Sequence, residues 1–331
     1  MPNTPNAEIA VIIVNYATAA LVMDAVESIR TRDHGGRSVD IHVVDNASPG
    51  DDATLLMEAH RARGWGAQVV LYPEPVNHGF GRGNNLVLRA LAARPISPDK
   101  VFLLNPDARL ENEALERLAT FLDAHPQAGC AGAAVVHPDG RRATSAFRFP
   151  SIVSEFSDSL AFGPVARLFA RFTVPLPPDL PTGPVDWVTG AAAMFRWEAL
   201  QQTQGFDPDY FLYFEEVDLM RRLKRQGWET WHVAEALVCH VEGAATDIRS
   251  GAPQRRARPD YWYDSWLVYH LKARGVWGAR LCAAARLLGW SVNFALNAMR
   301  RRPVRVPHRY FDGFNRRVLR PLAGLPARET L

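Results

Sequence analysis

Four alternations of an apolar segment with a helix-like segment, within residues 8–126, most constrain the fold of this chain. The apolar segments are EIAVIIVNY, DIHVVDNAS, AQVVLYP and KVFLLNPDA, at residues 8–16, 40–48, 67–73 and 100–108. The helix-like segments that follow them are 18–32, 51–63, 80–94 and 111–126. Short apolar runs with β-branched residues are typical of buried strands. Their alternation with helices predicts an α/β fold with a parallel, doubly wound sheet, whose ligand lies at the carboxyl ends of the strands.

Polar side chains directly follow three of these four strands. They are Asn15 and Tyr16, Asp45 and Asn46, and Asn105 and Asp107. A single such residue can cap the next helix, and for Asp45 or Asp107 alone capping explains the pattern as well as binding does. Polar residues at three equivalent places favour one shared site. The chain lacks a G-x-G-x-x-G motif after the first strand, and the glycine-rich segment 79–85 lacks the P-loop lysine, so by itself it indicates a turn.

The segment YFLYFEEVDLMRRLKRQG, residues 210–227, crowds three carboxylates between aromatic residues and cations. The carboxylates are Glu215, Glu216 and Asp218. Acids followed by bases suit the dipole of a helix, which explains the order of the charges. It does not explain the aromatic neighbours. Acids beside apolar walls have shifted pKa values and often mark functional sites, although structural ion pairs shift pKa values too.

The composition is that of a globular protein, and 331 residues suggest about two domains. Hydrophobic residues make up 47% of the chain and charged residues 22%, which are ordinary globular values. The three cysteines are odd in number and form no C-x-x-C pair, which argues against a disulfide framework and favours a reducing compartment. The first residues contain neither the basic nor the long apolar region of a signal peptide, so we expect none.

The C-terminal region is strongly basic. From Arg249 onward there are 17 Lys or Arg and 4 Asp or Glu, a net charge of +13, whereas the remainder carries 21 basic and 31 acidic residues, a net charge of −10. Within it, residues 281–299 are mainly apolar but contain Arg286 and Asn293. These two residues, with Arg300–Arg302 after them, favour a helix that lies on an anionic membrane rather than one that spans it. The alternative is a helix that packs its apolar face on the body of the protein.

Seven segments occur in the order IIVNY, VVDNAS, NHGFGRGNN, LLNPDA, DWVTGAAAMFRWEAL, GFDPDYFLYFEEVDLMRRLKRQG and CHVEG. In this order they resemble the inverting family-2 glycosyltransferases of GT-A fold, most closely their bacterial rhamnosyltransferase-like branch. The resemblance covers residues 8–243. It implies a nucleotide-sugar donor, a divalent metal ion on the donor diphosphate, and one catalytic carboxylate.

The resemblance also implies the organisation of the chain. The GT-A fold is a Rossmann-like, mostly parallel, doubly wound sheet, here with a C-terminal helical extension. We predict a glycosyltransferase domain over residues 1–246, with a nucleotide half of about 8–110 and an acceptor half of about 111–246. A basic, amphipathic helical tail is predicted for residues 247–331.

By this resemblance, Asn15 and Tyr16 line the nucleotide pocket, and Asp45 accepts a hydrogen bond from the pyrimidine N3–H. Uracil and thymine carry that N–H group, and cytosine does not. Gly79–Asn85 closes over the nucleotide, with Arg82 available to the phosphates. The complete predicted nucleotide-sugar set is Asn15, Tyr16, Asp45, Asn46, Gly79, Arg82, Asn84, Asn85 and Asn105.

The resemblance makes Glu216 the general base, with Glu215 as its neighbour. It also implies that Mn²⁺ or Mg²⁺ is bound by Asp107, which is the last acid of the family's Asp-x-Asp position, and by His240. A capped strand-end histidine remains the alternative for His240. The residues predicted to border the donor sugar and the acceptor are Asp186, Trp187, Gly190 and Asp218. Asp218 is also expected to pair with Arg221 or Arg222 and hold the local chain.

Two positions depart from the family pattern. The family usually has Asp at the base position, where this chain has Glu216. One extra methylene moves the carboxylate by about an ångström, and a shift of that size can cost a large rate factor. Either the site is shaped around Glu216, or Glu215 takes the role, or the enzyme is slow. The metal motif, Asn105-Pro106-Asp107, keeps only its last acid, which predicts weaker metal binding.

The sequence therefore predicts an enzyme that transfers a sugar, with rhamnose favoured, from a dTDP- or UDP-sugar to a saccharide acceptor. A polyprenyl-diphosphate-linked acceptor and an anionic membrane surface, bound through the tail, are the expected partners. The expected location is cytoplasmic, peripheral on the inner face of the plasma membrane. Two alternatives are a nucleotidyltransferase, whose first strand usually precedes a basic loop where this chain reads NYATAAL, and a non-catalytic glycan-binding relative. We expect no nucleic acid partner, because the body is acidic and nucleic-acid motifs are absent.

Overall fold

The computed structural model describes residues 8–162, 167–241, 257–302 and 306–326. The chain divides into two units. The first consists of Met1–Phe147, Leu176–Pro208 and Glu215–Ser250, and the second of Arg148–Pro175, Asp209–Phe214 and Gly251–Leu331. The predicted boundary between residues 246 and 247, like the end of the CHVEG segment, lies outside the described residues.

The strands all belong to the first unit, and they include the four predicted from the first half of the sequence. They are β1 Ile9–Asn15, β2 Val39–Asn46, β3 Val69–Glu74, β4 Lys100–Leu104, β5 Ala108–Leu110, β6 Ala128–Val136, β7 Arg142–Ala143, β8 Ala146–Phe147, β9 Gly183–Val185, β10 Trp187–Val188, β11 Ala192–Arg196 and β12 Glu229–His240. The helices of this unit are α1 Ala19–Arg30, α2 Asp52–Ala62, α3 Phe80–Ala92, α4 Ala114–Ala124, α6 Trp197–Thr203 and α7 Glu215–Arg225.

The central sheet has the strand order β3-β2-β1-β4-β11-β6-β12-β5, with β7 beside β6 and β9 beside β12. Strands β3, β2, β1 and β4 run parallel, as their alternation with helices predicts. Strand β11 runs antiparallel between β4 and β6, and β12 is parallel to β6. The prediction of a mostly parallel α/β sheet is confirmed, with antiparallel strands that the alternation did not indicate.

Both faces of the sheet are covered by helices, and this explains why its strands are mainly apolar. Successive residues of β1 point to opposite faces. Ile9, Val11 and Ile13 pack in one apolar cluster with α1, α2 and α4. Ala10, Ile12 and Val14 pack in a second cluster with α3, α6 and α7. The sheet is therefore doubly wound. Its interior is mainly apolar, although Asp40 and His42 of β2 are also buried in it.

The second unit is helical in its described part. Its helices are α5 Ile152–Leu160, α8 Asp260–Met299, α9 Tyr310–Phe314 and α10 Arg320–Gly324, with a π-helical turn at Asn315–Leu319. Helix α8 changes direction at Gly275, whose φ of 68° lies in the left-handed region that glycine adopts without strain. Within the described residues, no helix is both long enough and apolar enough to cross a membrane.

Arg286 and Asn293, the two polar residues that interrupt the apolar run 281–299, are buried in the second unit. Both are only 6% exposed. Arg286 donates through Nε to Glu155 Oε2, and Asn293 donates through Nδ2 to the Leu160 carbonyl over 2.5 Å. Between them, Gly289 leaves no room for a side chain, because a Cβ there would lie 2.4 Å from the Phe156 carbonyl oxygen. These residues are the side of α8 that packs on α5.

Candidate active site

A buried hydrogen-bond network joins the carboxyl ends of β1 and β2. Asn15 lies opposite Asp45 in the parallel register, and its Nδ2 donates to Asp45 Oδ1 over 2.8 Å. Ser48 Oγ donates to the same oxygen over 2.5 Å. Among the described residues, the other oxygen, Oδ2, has no hydrogen-bond donor. The network holds the Asp45 carboxylate in one orientation and leaves Oδ2 for an N–H group of a ligand.

The glycine-rich segment is tied to the same edge of the sheet. Asn46 Nδ2 donates to the Gly79 carbonyl over 3.1 Å, and Asn46 Oδ1 accepts from the His78 N–H over 2.9 Å. Gly79 has a φ of 75°, so any other residue there would be strained. Arg82 donates through Nε to the His78 carbonyl over 2.8 Å. The segment 79–85 is the first part of α3 rather than a separate turn, and it starts from a fixed position beside Asp45.

Helix α3 is locked to the chain that follows α6. Asn85 uses both ends of its side-chain amide on the backbone of Phe206, donating to its carbonyl over 2.7 Å and accepting from its N–H over 2.9 Å. The ring of Phe206 packs edge-to-face on Phe80, with 5.9 Å between centroids. Asn84 is buried and donates to the Phe80 carbonyl over 3.0 Å. In this structure Asn85 holds α3 and the segment around Phe206 together, whereas the Asn84 hydrogen bond lies within α3.

The acidic pair lies at the first turn of α7. Glu215 is buried, and the Oε2 atoms of both Glu215 and Glu216 are shielded from solvent without a hydrogen-bond partner among the described residues. Burial raises the pKa of both carboxyls, and the charge of Glu216 raises the pKa of Glu215 further. Burial thus favours the neutral form of both carboxyls, and a partly dehydrated carboxylate is an effective proton acceptor once it is ionised.

Gly190 lies beside Glu216 and Phe80. A Cβ at position 190 would lie 3.7 Å from Glu216 Cβ and 3.4 Å from a ring carbon of Phe80. The next residue, Ala191, accepts a hydrogen bond from the Asn105 N–H over 2.9 Å. These contacts connect the candidate base to the end of β4, where the candidate metal ligands begin.

Asp218 makes the predicted charge pairs. It is fully buried, its Oδ1 accepts from Arg221 over 2.9 Å, and its Oδ2 accepts from Arg222 over 2.7 Å. Arg222 also donates to the carbonyls of Thr203 and Gly205, over 2.5 and 2.9 Å. Asp218 thus orients Arg222, and Arg222 ties α7, with the two glutamates of its first turn, to the end of α6.

Asp107 and His240 meet although 133 residues separate them. The antiparallel pairing of β5 with β12 sets His240 opposite Ala108, and the His240 Nε2 atom lies 3.0 Å from Asp107 Oδ1. Asn105 Nδ2 lies 3.3 Å from the same nitrogen. A carboxylate oxygen and an imidazole nitrogen at this distance fit two ligands of Mn²⁺ or a similar cation. The described residues contain no group of three or more His, Cys, Asp or Glu side chains that could hold a metal ion.

The remaining predicted residues lie at the start of β10 and around β1. Trp187 stacks on Phe147, with 4.0 Å between ring centroids. Asp186 forms an ion pair with Lys224, with 2.8 Å between Oδ1 and Nζ. Tyr16 is 40% exposed beside the Asn15 network. These positions suit ligand contact, and the roles predicted for these residues stay predictions.

Sequence reasoning missed several residues of this site. Asp52 accepts from Asn15 and from the Ala19 N–H, over 3.1 and 2.8 Å, and so extends the network of Asp45 and Ser48. Ala17 and Ala47 have φ values of 57° and 56°, a conformation that costs energy for a non-glycine residue and often accompanies function. Ser48 ends the quoted segment VVDNAS, so its place in that segment was a usable signal. Nothing local in the sequence marks the two alanines.

Comparison with known proteins agrees with the fold. The model of the family described as Glycosyltransferase like family 2 matches residues 5–261. The N-acetylglucosaminyl-diphospho-decaprenol L-rhamnosyltransferase of Mycobacterium tuberculosis is 30% identical over 218 residues, which are 63% of this chain and 69% of that protein. The rhamnosyltransferase WbbL of Escherichia coli is 26% identical over 155 residues, 45% of this chain and 56% of that protein.

Solved structures share the architecture at low identity. The mannosyltransferase PcManGT of Pyrobaculum calidifontis, in complex with GDP-Man and Mn²⁺, aligns with a TM-score of 0.53 at 16% identity, covering 90% of this chain and 80% of its own. S. aureus TarS 1-349 with UDP-GlcNAc aligns with a TM-score of 0.54 at 14% identity, covering 95% and 82%. Because the family match spans most of the sequence and the sheet has the GT-A arrangement, this chain belongs to glycosyltransferase family 2 and is related to bacterial rhamnosyltransferases.

Proposed function

We propose that this protein is an inverting glycosyltransferase that moves a sugar, with rhamnose favoured, from a dTDP- or UDP-sugar to a saccharide acceptor in bacterial cell-surface polysaccharide synthesis. The observation that carries the proposal is the Glu216 carboxylate. It has a shielded oxygen without a partner among the described residues, its pKa is raised by burial, and it lies beside Gly190 in the first turn of α7. An unpaired buried acid is costly in a folded protein, so it suggests a catalytic use.

The proposed reaction is a single displacement. Glu216 accepts the proton of an acceptor hydroxyl while that oxygen forms a bond to the anomeric carbon of the donor sugar. The bond from the anomeric carbon to the nucleoside diphosphate breaks with its electron pair going to the phosphate oxygen, so the anomeric centre inverts. Asp107 and His240 would hold a divalent cation, Mn²⁺ or Mg²⁺, which when bound supplies positive charge to the departing diphosphate. Asp218 and Arg222 keep Glu216 in place for the proton transfer.

The choice of nucleotide is proposed from Asp45. Its Oδ2 atom can accept the N3–H of uracil or thymine, and cytosine has no such donor. The test is calorimetric titration with dTDP, UDP, GDP and CDP, each with and without Mn²⁺. We expect metal-dependent binding of dTDP or UDP alone, and loss of that binding by at least about tenfold in Asp45→Asn, because an amide presents a donor as well as an acceptor. Binding of none of the four nucleotides would contradict the proposal.

The proposed acceptor is a saccharide on a polyprenyl diphosphate at the inner face of the plasma membrane. Support comes from the Mycobacterium tuberculosis relative, whose name specifies an N-acetylglucosaminyl-diphospho-decaprenol substrate, and from the net charge of +13 in the C-terminal region. A basic surface is attracted to anionic lipid.

A catalytically weakened, glycan-binding relative is the second candidate, because Glu216 replaces the Asp that the family usually has. Nucleotide binding without sugar transfer to any saccharide acceptor would favour it.

A further inference from the structure

Helix α8 has a row of apolar side chains on the side opposite to α5. After the change of direction at Gly275, the positions Trp277, Leu281, Ala284, Leu288, Ala295 and Met299 recur at helical spacing on one face, and we call them the outer stripe. All six are exposed, and Trp277, Leu281, Leu288 and Met299 are 61%, 55%, 57% and 74% exposed. The opposite face holds Arg286 and Asn293, which are buried against α5.

The outer stripe is unusual because its large apolar residues are aligned. Single exposed apolar residues are normal on protein surfaces, but a contiguous exposed apolar row marks a contact with a partner or a membrane. A helix that is apolar on both faces is normally covered on both. Within the second unit, the described residues that cover this helix are α5 and the C-terminal helices, where Trp290 packs on Tyr310 and Arg280 donates to the Leu322 carbonyl. The six positions of the outer stripe stay exposed. The part of α8 after Gly275 is about 36 Å long at 1.5 Å per residue, which is long enough for an extended contact.

The positive charge around the outer stripe indicates which kind of partner this face binds. Between Ser265 and Phe311 the sequence has nine Lys or Arg and no Asp or Glu. Arg274 precedes the stripe and Arg300–Arg302 follow it, and all four are exposed. If two copies of the chain paired through the stripe, in either direction, arginines would face arginines. An anionic lipid surface instead supplies apolar acyl chains for the stripe and phosphates for the arginines.

We propose that the outer stripe is the membrane-contact face of this protein, lying in the interfacial region of an anionic bilayer with Arg300–Arg302 at the level of the lipid phosphates. The inference rests on the proposed function, since a lipid-linked acceptor requires a membrane, and it deepens that function by naming the surface. Arg286 and Asn293 lie on the opposite side of α8, against α5, and point away from the lipid.

The test compares two double variants of the full chain. The stripe variant is Leu281→Glu with Leu288→Glu. The matched control is Met57→Glu with Ile96→Glu, which adds the same charge at apolar positions of the first unit that are 40% and 58% exposed. Deletion of residues 250–331 is a poorer test, because it would uncover the face of α5 that α8 packs against. Thermal melts by circular dichroism should be alike for both variants and the unmodified protein.

Binding is measured by flotation with vesicles of phosphatidylcholine alone and of phosphatidylcholine and phosphatidylglycerol in equal parts. We expect the unmodified protein and the control to bind the anionic vesicles, and the stripe variant to lose about tenfold or more in affinity. Binding should weaken as salt rises. Equal vesicle binding by all three proteins would overturn the inference. So would a change from dimer to monomer, seen by light scattering, in a stripe variant that still binds vesicles.

Nucleotide titration of the same proteins separates this inference from the proposed function. A stripe variant that loses vesicle binding but binds dTDP or UDP normally supports both. Stripe-dependent vesicle binding by a protein that binds no nucleotide supports the membrane face and overturns the proposed function.

Discussion

At the scale of single residues, the chemistry depends on one of two adjacent glutamates. We expect Glu216→Gln to lower the rate of sugar transfer by at least about a hundredfold, because an amide cannot take the acceptor proton. Nucleotide affinity should not change. The measurement is transfer of labelled sugar to a polyprenyl-diphosphate-linked saccharide, with Glu58→Gln, an exposed position on α2, as the matched control. If Glu215→Gln abolishes transfer and Glu216→Gln does not, the base is Glu215.

The same carboxylate sets the pH dependence. Because burial raises the pKa of Glu216, its proton is lost only above the ordinary glutamate value of 4.5. The transfer rate should therefore fall on the acid side at a pH above that value, as Glu216 becomes protonated and can no longer accept a proton. A pH–rate profile measures this directly. An acid limb at or below the ordinary value would show that the rate-limiting base is not this buried carboxylate.

At the scale of elements, the position of α7 depends on Asp218. Asp218→Asn removes the buried negative charge that faces Arg221 and Arg222, and we expect a loss of about 3–5 kcal/mol in the free energy of unfolding. Urea denaturation measures it. Asp139→Asn removes an exposed pair with Arg141 and should have no measurable effect. Equal effects of the two substitutions would mean that the buried pairing does not hold α7.

Gly190 lies beside Phe80 of α3 and Glu216 of α7 in the candidate site. Its contacts with Phe80 and Glu216 are at ordinary van der Waals distance for a new Cβ, so the glycine is not required for packing. A side chain larger than alanine at this position would crowd Glu216, beside which we propose that the acceptor hydroxyl binds.

At the scale of the whole molecule, the second, helical unit contains a buried charge cluster. This cluster should make the stability of that unit sensitive to acid. Arg286 and His270 contact Glu155 and lower the pKa of that carboxyl from 4.5 to about 2, although burial alone would raise it. A carboxyl whose pKa is lowered on folding stabilises the fold above its unfolded pKa, and that contribution disappears as the pH falls from 4.5 toward 2.

We therefore expect the urea midpoint of the helical unit to fall steeply over that acid range, and less steeply in Glu155→Gln. That substitution should also cost about 3–5 kcal/mol at neutral pH, because Arg286 loses its buried partner. Tryptophan fluorescence is a suitable signal, since Trp266 Nε1 donates to Glu155 Oε2 over 3.2 Å. The control is Asp158→Asn, which removes an exposed carboxylate that contacts the same arginine. An unchanged slope in Glu155→Gln would exclude this carboxyl as the cause.

The sequence alone determined the parallel half of the sheet, because strand and helix periodicities are local properties that can be read along the chain. It also determined that Asn15 and Asp45 share one edge, since parallel strands end together. Tertiary structure decided the rest. The meeting of Asp107 with His240 depends on the pairing of β5 with β12 across more than a hundred residues, and no local pattern encodes that register. The two faces of α8 were likewise decided by tertiary contacts. Whether an arginine on a helix points to solvent or into a core depends on whether another element brings a carboxylate to it, as α5 does with Glu155 for Arg286.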